Sequence, residues 1–312
     1  MARYLVTGGA GFIGSNIAEA LVERGEQVVV LDNLSTGFER NIAHLRNDIT
    51  FVKGDIRDAE TVREALAGVD YVLHEAALAS VPRSIEDPVL VTDVNVRGTI
   101  VMLEESRRAG VKRFVYAASS SAYGDTETLP KVETMSPKPL SPYAASKLTG
   151  EFYCSVYAHV YGLSTVSLRY FNIFGPRQDP QSQYSAVIPI FASHLLAGKP
   201  PTIFGDGEQS RDFTFVANVV EANIAASRCE RARGQIVNVA CGGHYTLNEL
   251  FGHMQRIIGS SVQPRYAEPR AGDVRHSHAD ITAAEKLVGY RVAVPFEEGL
   301  ARTIAWYREA RA

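Results

Sequence analysis

The chain has 312 residues, 46% hydrophobic and 21% charged, enough for a large core and a length that suggests about two domains. Lys plus Arg number 32 and Asp plus Glu 35, a net charge of −3 that offers no positive field to nucleic acid or an anionic membrane and leaves small molecules as the expected partners. Cys154, Cys229 and Cys241 have neither zinc spacing nor an even disulfide count, and the amino terminus runs directly into a strand with no long apolar segment after it, so a cytoplasmic enzyme is expected.

Tyr4-Leu5-Val6 is an apolar run suited to a buried parallel strand, and Ile13, Ile17, Ala20 and Leu21 recur at helical spacing. Between them stands Thr7-Gly8-Gly9-Ala10-Gly11-Phe12-Ile13-Gly14, in which Gly9, Gly11 and Gly14 fit G-x-G-x-x-G. Strand, glycine loop and helix in that order allow a pyrophosphate to approach the backbone and meet free N–H groups at the helix start. A second apolar run, Gln27–Leu31, ends in Asp32, where a dinucleotide fold puts a carboxylate on the adenosine ribose and disfavours a 2′-phosphate. The bland alternative is that Asp32 only opens the turn Asp-Asn-Leu-Ser-Thr-Gly.

Further apolar runs at 50–53, 71–74, 113–117, 165–169 and 236–239 alternate with helical patterns near 59–66, 89–108 and 143–161. This rhythm predicts an α/β fold, a doubly wound parallel sheet with helices on both faces. After about Gly175 prolines punctuate shorter elements, which predicts a dinucleotide domain over 1–175, joined by elements from about 213–242, and a smaller, interleaved substrate region over 176–312.

Ligands of such sheets lie beyond the carboxyl ends of the strands, so the residues just after each run are weighed singly. Asp55, followed by Ile56, either bonds an adenine amino group or caps the helix beginning near Asp58. Ala76-Ala77-Leu78 is small enough for a cofactor to lie on backbone, or is simply tight packing. Ser119, Ser120 and Ser121 place three hydroxyls at one strand end, either to hold a substrate hydroxyl or to form a turn. Ser141 is a good N-cap and Pro142 a good first helical residue, which puts Tyr143 and Lys147, at i and i+4, on one face. An ammonium beside a phenol lowers the phenol's pKa toward that of a useful general base, although Y-x-x-x-K alone more often describes a surface pair.

Together the glycine loop, Asp32, the serine run and Tyr143-x-x-x-Lys147 resemble the extended short-chain dehydrogenase/reductase superfamily over the whole chain. Within it the sequence resembles the UDP-sugar 4-epimerases, most of all the branch acting on UDP-N-acetylhexosamines. The segments 80–84 (SVPRS), 117–125 (AASSSAYGD), 169–175 (RYFNIFG), 205–213 (GDGEQSRDF) and 270–277 (RAGDVRHS) carry that likeness in family order.

The resemblance implies a Rossmann sheet, NAD as cofactor, UDP-hexoses as substrates and a homodimer joined by a four-helix bundle from the helices near 89–108 and 143–161. It implies that Tyr143 takes the proton of the sugar 4-hydroxyl while the C4 hydride passes to NAD, and that the keto sugar turns over before the hydride returns. Lys147 would tune the tyrosine and hold the nicotinamide ribose, and Ser119, or Ser120 if the turn is counted differently, would hold the 4-oxygen. Gly8, Gly11, Phe12, Ile13 and Gly14 would hold the cofactor's phosphates. Asp32, Asn33, Ser35, Thr36, Gly37, Asp55 and Ile56 would hold its adenosine, and Ala76, Ala77, Ala79, Asn95, Ala117 and Tyr170 would line the rest of its path. Substrate would meet Ser80, Ser120, Ser121, Asn172, Ala186, Val187, Arg211, Arg270, Asp273 and Ser277. The two arginines suit a diphosphate because their planar forks donate in pairs. A small residue at Ser277 implies room for an N-acetyl group at C2. Ala79 departs from the glycine common in this branch. A dehydratase of the same fold would need an Asp-Glu pair where Ser120-Ser121 stand, and a non-catalytic NAD-binding regulator would not need Ser119, Tyr143 and Lys147 together.

Overall fold

The computed structural model describes residues 1–180, 187–269 and 275–310. Seven strands, β1 (Arg3–Thr7), β2 (Gln27–Asp32), β3 (Ile49–Lys53), β4 (Tyr71–His74), β5 (Arg113–Ser119), β6 (Thr165–Tyr170) and β7 (Gln235–Val239), form a parallel sheet. Their order is β3-β2-β1-β4-β5-β6-β7, the doubly wound arrangement expected. The longer helices are α1 (Phe12–Glu23), α2 (Ala59–Ala65), α3 (Gly98–Arg108), α4 (Pro142–Val160), α5 (Val187–Leu196), α6 (Val216–Arg228), α7 (Leu247–Ile258) and α8 (Phe296–Glu309). Among the described residues no helix is long and apolar enough to cross a membrane.

The apolar runs are strands because both faces of the sheet are covered. Tyr4, Val6, Val28 and Val30 pack with α1 and α6 on one side, while Leu5, Val29 and Leu31 pack with α2, α3 and α4 on the other. A third core, with Phe174, Phe191, Phe213, Leu250, Phe296 and Leu300, joins α5, α7 and α8 beyond the carboxyl edge of the sheet. Because β1 lies between β2 and β4, the chain leaves it toward opposite edges, and the crevice above β1 and β4 receives the glycine loop.

The single helix expected over 89–108 is divided. Residues 88–92 are α-helical, 93–97 form a wider π-type turn, and α3 begins at Gly98. The wide turn brings buried Asn95 inward, where Oδ1 accepts from the Leu78 N–H at 2.8 Å and Nδ2 donates to Ser146 Oγ at 3.0 Å. Side-chain demands of the interior, invisible to apolar spacing, set this break.

Candidate active site

Three cavities meet above the sheet. The first, about 240 Å³, runs from Asp32, Asn33 and Asp55 past Gly8, Gly11 and Gly14 to Glu75, Ala76, Ala77 and Ala79. Its floor is bare backbone. A Cβ on Gly14 would lie 2.3 Å from the Gly8 carbonyl oxygen, and one on Gly8, whose φ is +65°, would lie 2.8 Å from Ala76 Cα. No side chain caps the first turn of α1, so the N–H groups at Phe12 and Ile13, which line this cavity, are offered to an anion. Gly9 instead packs its α-carbon against Val30.

At the far end Asp32 Oδ2 accepts from the Ala10 N–H at 3.0 Å and Oδ1 from the Leu34 N–H at 2.7 Å, and burial holds this carboxyl above its ordinary pKa. Asp55 does not cap the following helix, because Asp58 does so by accepting from the Glu60 N–H at 3.1 Å. Asp55 bonds Asn33 at 3.0 Å and the Arg57 side chain, which draws its pKa down to about 2. Ser35, Thr36 and Ile56 line the same cavity, while Gly37 lies behind it, where a Cβ would touch Asp32 Oδ2 at 3.0 Å. Backbone bare at a phosphate-sized loop, uncapped donors and a carboxylate at the adenosine end fit a dinucleotide.

The second cavity, about 560 Å³, shares Phe12, Ile13 and Ala79 with the first and contains Ser119, Ser120, Ser121, Tyr143, Tyr170, Asn172, Arg211 and Ser277. Ser141 caps α4 as expected, accepting from the Ala144 N–H at 3.1 Å. Ser119 Oγ accepts from the Ser121 hydroxyl at 2.9 Å and N–H at 3.2 Å, and its side chain lowers the pKa of the Tyr143 phenol. Ser119 and Ser120 both line the cavity that contains the tyrosine.

Burial raises the Tyr143 phenol above its ordinary pKa, the Ser119 side chain lowers it and the Glu75 charge raises it. Lys147 shares the helix face but turns its ammonium to the Ala117 carbonyl at 2.7 Å, 5.1 Å from the Tyr116 ring centre.

The third cavity, about 370 Å³, continues from Asn172, Ile173 and Arg211 to Val187, Phe204, Phe213 and Leu247. Asn172, at the junction, has φ +39° and donates from Nδ2 to the Asp212 carbonyl at 3.2 Å, a strained backbone of the kind that collects at binding sites. Asn95 and Ala117 support the site from behind. Ser80 caps residues 81–86 by accepting from the Arg83 N–H at 3.2 Å. Ala186, Arg270 and Asp273 lie outside the described residues. Sequence reasoning passed over Glu75 and Lys131, which line the first and second cavities. Glu75 directly follows β4, so the strand-end rule applied to its neighbours would have found it.

Residues 4–240 match the model of the NAD dependent epimerase/dehydratase family. The chain is 40% identical over 310 residues to a UDP-glucose 4-epimerase of Mycolicibacterium smegmatis, covering 98% of each chain. It superposes with TM-score 0.95 and 38% identity on a UDP-N-acetylglucosamine 4-epimerase from Methanobrevibacter ruminantium solved with UDP-N-acetylmuramic acid, covering 99% of both. With a Thermus thermophilus UDP-glucose 4-epimerase solved with NAD the TM-score is 0.89 at 40% identity, again over 99% of each. A bare-backbone dinucleotide cavity opening onto a Ser-Tyr pair, and these likenesses along the whole length, give one conclusion: the chain belongs to the NAD-dependent epimerase/dehydratase family, as a UDP-sugar 4-epimerase that uses NAD.

Proposed function

We propose that this enzyme interconverts UDP-N-acetylglucosamine and UDP-N-acetylgalactosamine, and also UDP-glucose and UDP-galactose. The observation that carries the proposal is Ser277, a small residue lining the same cavity as Ser119 and Tyr143. Its backbone is held by donation of its N–H to the Ser210 carbonyl at 3.0 Å. A roomy wall accepts an acetamido group at C2 and rejects a smaller hydroxyl only weakly.

Within this reading Tyr143 removes and returns the proton of the sugar 4-hydroxyl. Ser119, its two acceptor positions filled from Ser121, has its own proton for the 4-oxygen or the phenolate. Asn172 and Arg211, at the junction of two cavities, hold the diphosphate, and Val187 with the phenylalanines of the third cavity encloses the uracil. Gly8, Gly11, Gly14 and Asp32 hold NAD, which when bound supplies the acceptor and donor of the C4 hydride. The cavity of about 560 Å³ leaves room for a hexose ring to present either face. Two copies pair through α4 and the helical segments over 88–108, whose outer faces carry exposed Val89, Phe152, Val156 and Val160.

Incubation of the purified protein with each UDP-hexose, without added cofactor, followed by chromatographic identification of the product, tests the assignment. Conversion of both pairs is expected. Turnover of UDP-glucose with none of UDP-N-acetylglucosamine would contradict it.

A further inference from the structure

Behind the second cavity stands an amide that the mechanism above does not use. Asn238, near the carboxyl end of β7, is fully buried, and its side chain bonds stretches that lie 115, 107 and 42 residues from it in the chain. Nδ2 donates to the Lys131 carbonyl at 3.0 Å and to the Asp280 carbonyl at 3.1 Å. Two carbonyls on one side fix the orientation of the amide, so Oδ1 is the atom that accepts from the Tyr123 hydroxyl at 2.7 Å. The backbone N–H of Asn238 adds a bond to Glu133 Oε1 at 2.7 Å.

The same stretches meet at the sugar. Tyr123 closes the turn that begins at Ser119, and Tyr123, Lys131 and Ser277 all line the second cavity. Lys131 runs beside the segment over 275–280: its N–H donates to the His278 carbonyl at 2.7 Å, and its carbonyl accepts from the Asp280 N–H at 2.9 Å. On the other side the segment is held by Ser210, whose carbonyl accepts from the Ser277 N–H at 3.0 Å and whose N–H donates to the Arg275 carbonyl at 2.9 Å. Asp212 Oδ2 also accepts from the Ala279 N–H, at 3.2 Å. Ser210 lies in a two-residue strand outside the seven-stranded sheet, paired with residues 245–246, whereas Asn238 is part of the sheet that carries Ser119. Its amide therefore ties the wall containing Ser277 to the sheet. A carboxylate at this position has no donor for the two carbonyls, and an aliphatic side chain strands both of them and the Tyr123 hydroxyl in a dry site.

We propose that Asn238 is a positioning residue for substrate selection: it holds the segment bearing Ser277 at a set distance from the Ser119–Tyr123 turn and so fixes the width of the sugar cavity. The proposal rests on the reading of Ser277 as the wall at the sugar's C2. Without the amide the segment keeps its bonds to Ser210 but loses its tie to the sheet, and the wall yields.

Hydrogen exchange of the holoenzyme, read by mass spectrometry on peptides, tests the anchoring. In Asn238→Ala the amides over 275–280, none of which donates to Asn238, are expected to exchange about tenfold faster, while those of β1 and β5 keep their rates. A purely structural role would speed exchange across the sheet instead. Kinetics test the selection. The loss that Ser277→Tyr causes on UDP-N-acetylglucosamine relative to UDP-glucose should shrink about fivefold or more when Asn238→Ala is added, because a wall no longer held gives way to the larger side chain. Unchanged exchange over 275–280, or a measurable Ser277→Tyr loss of equal size in both backgrounds, would overturn the proposal. Asn238→Ser, which keeps a hydroxyl and admits a water, gives the same outcomes should the alanine variant not fold. Faster exchange over 275–280 in an enzyme on which Ser277→Tyr has no effect in either background would support the anchoring while contradicting the substrate assignment.

Discussion

Opposed influences act at Tyr143: burial and the Glu75 charge raise its pKa, and the Ser119 hydroxyl lowers it. A general base with a raised pKa works better as pH climbs, so Ser119→Ala, which removes the lowering influence, should move the acid limb of kcat/KM to higher pH as well as slowing turnover. An acid limb that stays in place would show that the serine does not tune the phenol. Tyr143→Phe, by contrast, should bind NAD and fold normally while losing about 10²–10⁴-fold in turnover, the usual worth of a general base. Rates within a few-fold of wild type would remove Tyr143 from its role. Ser277 lines the same cavity, where the proposed function seats the C2 substituent of the sugar. If seating the acetamido group beside a tyrosine costs about 1–3 kcal/mol, as overpacking does, Ser277→Tyr should lower kcat/KM for N-acetylated substrates by roughly 5- to 150-fold and largely spare UDP-glucose. Equal losses on both substrates, or none on either, would separate Ser277 from the C2 position.

The strand, glycine loop and α1 act as one element, and Gly14 is where they touch. Its missing side chain matters because the 2.3 Å neighbour is the Gly8 carbonyl, backbone that cannot swing aside. Gly14→Ala should therefore open the loop, costing about 1–3 kcal/mol of stability and most of the NAD that copurifies. Unchanged melting temperature and full cofactor content would show that the loop yields without harm. Such elements are legible in the sequence because each strand is an apolar run between turn residues and several candidate site residues follow a strand end. Less legible is anything decided by partners far along the chain. The break over 93–97 follows from Asn95 reaching the Leu78 backbone, and the choice of Asp58 over Asp55 as helix cap follows from Arg57 and Asn33 claiming Asp55. Helical spacing predicts the face that Lys147 shares with Tyr143, yet the Ala117 carbonyl that takes its ammonium belongs to a strand 30 residues earlier. Helix α7 went unremarked although Thr246 and Glu249 form a reciprocal capping box that its sequence displays.

At the scale of the whole molecule, α4 has two working faces. One carries Tyr143 and Lys147 toward the sheet, while the other presents Phe152, 55% exposed, Val156, 46%, and Val160, 62%, at spacings of about one helical turn. The adjoining segment over 88–97 adds Val89, 77% exposed, at the edge of an open groove with Thr92, Val96 and Ile100. A contiguous apolar face of this kind marks an interaction surface. Under the proposed pairing, two such helical pairs related by a two-fold axis would bury it against itself as a four-helix bundle. Phe152→Glu should then convert a dimer into a folded monomer, because each side chain lost from the interface withdraws about 1.5–3 kcal/mol of burial and the symmetry counts it twice. Light scattering behind size-exclusion chromatography reads the mass directly. The second cavity already brings Ser119, Tyr143, Asn172 and Arg211 of one chain together, so the monomer should still epimerise within a few-fold of wild type. A monomeric wild type, or a Phe152→Glu variant that remains dimeric, would place the interface elsewhere. A monomer that folds but loses turnover would mean that the bundle holds the catalytic face of α4 in place.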